Sequence, residues 1–258
     1  MNRQTLVLLV GLVAAMSMDK VLAVSDEFIK EIEHAKSLAV QKKLPEAIQY
    51  WEQKRSRYAK TDGYYEYELA TFYSSARRFK DAERMYQEGH TINPRIEKFN
   101  IALAFLYLEQ NKIAEAVKWA NRAITEYPLD PSGHATLGEI ERRQGNNTAA
   151  RDHLKASLRV SPTAHTAWLM SIVSYELKEY EAAVQSMEMA VNLNRSYAGD
   201  KDGMIVAAVS LANLGRFQDA YGALDTLKDN NKNITVAEID NVRREIAKVQ
   251  KSKLKQTQ

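Results

Sequence analysis

Lys80-Asp81-Ala82-Glu83, Ala114-Glu115-Ala116-Val117 and Thr148-Ala149-Ala150-Arg151 set an alanine in closely similar surroundings at a spacing of 34 residues. Only a small side chain lets two helices approach closely, so a small residue returning at a fixed long interval marks a repeated helix contact. Twelve residues before each alanine stands a second small residue, Ala70, Ala104 or Gly138, preceded by Leu69, Leu103 or Leu137. Twelve residues after it stands Pro94, Pro128 or Pro162. Proline cannot continue a helix, so each one closes a unit and directs the chain into the next. In this register the units open at Gly63, Glu97, Pro131 and His165.

The register extends outward on both flanks. Leu44 to Trp51 reads as the second helix of a unit beginning near residue 28, with Pro45 in the first turn, where its missing N–H costs nothing. After His165 the pattern runs through Trp168, Tyr175, Tyr180, Ala183 and Ala190, and Trp168 to Tyr180 is one residue short. That shortening reads as a trimmed turn between the two helices. A sixth unit, from near residue 201, carries Ala208, Leu211, Gly215, Phe217 and Ala220. Thr235 and Glu238 have capping-box spacing, and Val236, Ile239, Val242, Ile246 and Val249 recur at helical intervals. Residues 235–258 are therefore expected to form a basic-tailed helix that covers the last unit, whose apolar face would otherwise meet water.

A large residue, Leu-Gly, an aromatic, Ala, a second aromatic, Ala and Pro at fixed offsets resemble the tetratricopeptide repeat. The resemblance implies an all-α fold, a right-handed α-solenoid of about six helical hairpins over residues 24–234 followed by the capping helix. Composition agrees with a helical array: 45% hydrophobic and 27% charged residues, with ten glycines and five prolines. No Gly/Ser-rich or Pro-rich linker interrupts the register, so one quasi-linear domain is expected.

Residues 1–23 stand outside the repeats. Arg3 gives a positive start, Thr5 to Met18 is mostly apolar, and Val21-Leu22-Ala23 supplies small residues where a signal peptidase reads. A cleaved signal peptide is expected, giving a mature chain from Val24, secreted across the inner membrane into the periplasm. The chain has no cysteine, which excludes a lipid anchor attached to that residue.

The charge balance, 36 basic against 33 acidic residues, gives no reason to expect a nucleic-acid partner. One local asymmetry stands out: Arg243, Arg244, Lys248, Lys251, Lys253 and Lys255 face the single acid Glu245. Chemistry is sparse. No two of the five histidines stand at the three- or four-residue spacing of a helical metal site, and no phosphate loop, nucleophile elbow or zinc-protease motif occurs. The reading is therefore of a protein that is not an enzyme, with no catalytic residues, no metal and no cofactor.

In the family the chain resembles, repeat positions two, five, nine, twelve and thirteen of each first helix line a concave face. The resemblance carries that role onto Tyr64, Tyr67 and Thr71, then Ile101, Phe105 and Leu108, then Glu139, Arg142 and Arg143. The lining passes from tyrosine-rich through apolar to charged, the mixture expected of a protein-recognition surface. The lysine and asparagine of a carboxylate clamp are absent: positions five and nine hold Tyr67 and Thr71, then Ile101 and Phe105. Size, repeats and signal resemble pilus-biogenesis assembly factors and, more loosely, polysaccharide-export scaffolds. The expected partners are proteins of an envelope assembly, with self-association as another use of the groove. A glycan- or wall-binding module, with Tyr64, Tyr65 and Tyr67 stacking on sugar rings, is the alternative.

Overall fold

Apolar runs of helical period separated by short polar turns fold back on themselves in pairs. In a computed structural model, which describes residues 26–256, α1 (Asp26–Val40) is joined to α2 (Leu44–Gln53), and a single-turn helix α3 (Arg55–Tyr58) follows. Five further pairs come next: α4 (Tyr64–Ser75) with α5 (Phe79–Ile92), α6 (Lys98–Glu109) with α7 (Ile113–Glu126), and α8 (Ser132–Arg143) with α9 (Asn147–Val160). The last two are α10 (Ala164–Glu176) with α11 (Tyr180–Leu193), and, after a 3₁₀ turn at Arg195–Gly199, α12 (Lys201–Asn213) with α13 (Phe217–Asn230). A long final helix, α14 (Val236–Gln256), completes the all-α fold. The expected signal peptide lies outside the described residues. Among the described residues, no helix is long and apolar enough to cross a membrane.

The turn inside each pair has one construction. Three residues separate the helices, and the middle one, Lys42, Arg77, Asn111, Gly145, Lys178 or Gly215, takes a left-handed conformation with φ between 57° and 84°. Its N–H donates to the carbonyl three residues back, and the next N–H donates five residues back, as in Arg77 to Ser74 (2.9 Å) and Arg78 to Tyr73 (2.8 Å). This is a Schellman motif, which satisfies carbonyls that a helix end leaves without partners. The same three-residue turn joins α10 to α11. The expected trimming of that turn is therefore corrected: the shortening lies before α10, where only residues 161–163 link it to α9, against 93–97 and 127–131 in the two preceding links.

The chain divides into two compact units, one ending at Leu106 and one beginning at Tyr107, with the boundary inside α6. In the first unit the fully buried Trp51 meets Phe28 edge-on at 5.3 Å and stacks on Tyr65 at 5.6 Å. In the second, α14 buries Val242 and Ile246 against Ala208, Leu211 and Leu224, and Ile239 against Met204 and Leu227. Its start forms the expected capping box: the Thr235 N–H donates to the Glu238 carboxylate (2.8 Å), and the Glu238 N–H donates to Thr235 Oγ1 (3.2 Å). The alanines that mark the register, Ala47, Ala82, Ala116, Ala150, Ala183 and Ala220, all have zero exposure.

Candidate functional site

In the first unit, Asp62 accepts a hydrogen bond from the Tyr64 N–H (3.0 Å), fixing the start of α4 and leaving the Tyr64 side chain half-buried. One turn on, the Tyr67 ring lies 5.7 Å from Tyr86 and meets the Phe99 ring edge-on at 5.6 Å. Thr71 Oγ1 lies 3.1 Å from the Tyr86 hydroxyl and within 3.0 Å of the Tyr67 carbonyl. Burial pushes the Tyr67 and Tyr86 phenols above their ordinary range, so both stay neutral. Tyr67 and Thr71 thus take part in hairpin packing as well as facing outward. Ile101 and Phe105, one turn apart on α6, are partly exposed, in the same range as Tyr64. Tyr65, which the glycan alternative needs at the surface, is 1% exposed and stacked on Trp51. That part of the alternative is corrected, because a buried ring cannot stack on a sugar.

In the second unit, Leu108 is buried and so supports the face without presenting itself on it. Glu139, 6% exposed, is also inside. Its carboxylate accepts Arg142 Nε at 2.8 Å and Arg143 Nε at 2.7 Å, and Arg143 Nη1 reaches on to Glu109 at 2.9 Å. Burial alone would raise the Glu139 pKa, but the two guanidiniums outweigh it and hold the carboxyl below the usual range. The expected charged lining is therefore a self-neutralised network. The sequence reading missed it, although the signal was there: Glu109 and Arg143 stand 34 residues apart, at the same repeat position of successive first helices. Histidine spacing along the chain likewise gave no sign that His134 and His153 stack at 5.8 Å. Burial and the His153 charge push the His134 pKa down. Among the described residues no group of three metal-capable side chains forms.

Two tetratricopeptide-repeat models match the sequence, over residues 73–140 and 136–201. The chain belongs to the tetratricopeptide repeat family. Repeats of this family build protein-interaction scaffolds, and solved structures carry the same fold. PilW, a type IV pilus biogenesis factor, is similar at 17% identity with a TM-score of 0.62, over 85% of this chain and 99% of its own. PilF of Pseudomonas aeruginosa is similar at 16% identity with a TM-score of 0.62, over 84% and 96%. A chain of the APC/C hetero-tetramer Cut9-Hcn1 is similar at 15% identity with a TM-score of 0.64 over 84% of this chain, which spans 42% of that chain's length. No curated protein matches the sequence. At these identities the likeness is one of tetratricopeptide fold.

Proposed function

We propose that this tetratricopeptide-repeat protein is a non-enzymatic adaptor of a bacterial cell envelope, holding a protein partner on the first-helix faces of its hairpins during pilus or secretion-complex assembly. The observation that carries the reading is the partly exposed pair Ile101 and Phe105 on α6. An aromatic and a branched aliphatic side chain one turn apart make a compact anchor for a partner helix or extended segment. The arginines contribute less. Arg142 and Arg143 already hold Glu139 and Glu109, so a partner arriving there must displace ion pairs before it gains any. Resemblance of fold to PilF and PilW over nearly their whole length supports the envelope setting, as does the apolar stretch from Thr5 to Met18.

The test is crosslinking in the native host from a photo-reactive residue at Phe105, with a control at the exposed Glu115 on α7, read by mass spectrometry. A discrete protein partner captured from position 105 alone is the expected result. The same background from both positions would count against the adaptor. Terminal sequencing of the protein from a periplasmic fraction is expected to begin at Val24; a chain beginning at Met1 there would remove the cleavage step, and absence of the protein from that fraction would remove the secretion step.

A further inference from the structure

The final helix carries a feature that its packing does not use. Arg244, Lys248, Lys251 and Lys255 follow one another at intervals of four, three and four residues, which places them on one face of a helix with about 3.6 residues per turn. All four are exposed. The buried residues Ile239, Val242 and Ile246 occupy the opposite face. The basic face therefore looks away from α12 and α13, as a straight row about 17 Å long. Nearby acids are engaged elsewhere: Arg243 takes Asp225 and Asp240, and Lys201 takes Glu238. Among the described residues, Lys248, Lys251 and Lys255 have no ion-pair partner, and Arg244 bonds only to Asn241. Glu245 stands to one side of the row.

We propose that this row docks the protein onto an anionic membrane surface. The surface proposed is distinct from the first-helix faces and does not depend on the adaptor reading. Charge complementarity requires an anionic partner, and the make-up of the row selects a lipid one. Three of its four members are lysines, which are depleted in protein–protein interfaces, and no aromatic or methionine anchor stands among them. A lysine is a mobile point charge that does not need the fixed geometry of a carboxylate fork, so it suits a fluid array of headgroups. A straight row on the outward side of a helix presents all four charges to a plane at once. The apolar residues Ile239, Val242 and Ile246 are already buried in the fold and none of the four row members is apolar, so adsorption through the row is electrostatic and sensitive to salt.

The test is co-sedimentation of the full chain with phosphatidylcholine vesicles, with and without about one-third phosphatidylglycerol, at low and high salt. The row variant is Arg244→Gln with Lys248→Gln, Lys251→Gln and Lys255→Gln. The control makes the same charge change at the exposed Lys30, Lys80, Lys118 and Lys155. The parent and the control are expected to bind phosphatidylglycerol vesicles and to release them in salt, whereas the row variant loses roughly 700-fold in partition at low salt. Lys→Arg changes at 248, 251 and 255 are expected to keep binding, and melts of all variants to match the parent. Equal binding by the row variant, or an equal loss in the control, would overturn the proposal. So would capture of the row by poly-glutamate or duplex DNA while anionic vesicles leave it free.

Discussion

A Cβ added at Gly138 would lie 2.7 Å from Leu154, a fully buried side chain that would have to shift to admit it. Gly138→Leu is accordingly expected to cost about 1–3 kcal/mol in chemical denaturation, while Ala114→Leu on an exposed position of α7 stays within about 0.5 kcal/mol. His134 gives a second expectation at this scale. Its pKa is depressed in the fold, so the folded state binds protons less readily than the unfolded chain. Its contribution is complete above the unfolded value near 6.5 and is lost as pH falls below that value and through the folded one. Denaturation midpoints measured from pH 7.5 to 5.5 should fall, and His134→Phe should flatten the fall. These positions differ in how readily the sequence disclosed them. Gly138 stood in register with Ala70 and Ala104, and steric demand leaves a compositional trace at every repeat. The His134–His153 stack has no such trace, because it joins two helices at positions that other units fill differently.

At the scale of the element, the turn inside each hairpin is the recurring device, and it shows where the sequence was silent. Gly145 and Gly215 advertise a left-handed residue, but Lys42, Arg77 and Lys178 occupy the same conformation without any signal in their chemistry. A non-glycine residue in that region costs about 1–2 kcal/mol, of which glycine's extra freedom in the unfolded chain takes back roughly half. Lys178→Gly is therefore expected to stabilise the protein by about 0.5–1 kcal/mol. Gly145→Ala, at a site with nothing within 4 Å of the added methyl, should destabilise it by a similar amount through conformation alone. Urea titrations of the two variants check the pair. The misplaced shortening in the fifth unit has the same origin. Trp168 is the fifth residue of α10, so the spacing from Trp168 to Tyr180 covers the rest of that helix as well as the turn after it, and could not say that the link before α10 had lost the residues.

For the molecule as a whole, the repeat register made the helix content and the pairing legible. The site was legible only in part, because a position that faces outward in a family pattern can still be closed over, as Leu108 is, or neutralised by a neighbour in register, as Arg143 is. Ile101 and Phe105 stay partly exposed, whereas Ala135 and Glu139 at the matching positions of α8 are buried. The turns have one more consequence. Five of the six contain a trypsin site: Lys42 and Lys43, Arg77 and Arg78, Lys112, Lys178 and Arg216. Only the turn at residues 144–146 lacks one. A protease must draw its substrate into an extended strand, which a closed three-residue turn cannot supply, so each bond is cut only while its own hairpin is open. Limited trypsin digestion should thus release fragments ending at hairpin tips, with the cut at residues 42–43 among the earliest because end repeats open most readily. The order of the bands would time the opening of five hairpins separately, a clock that the chain carries without any added label.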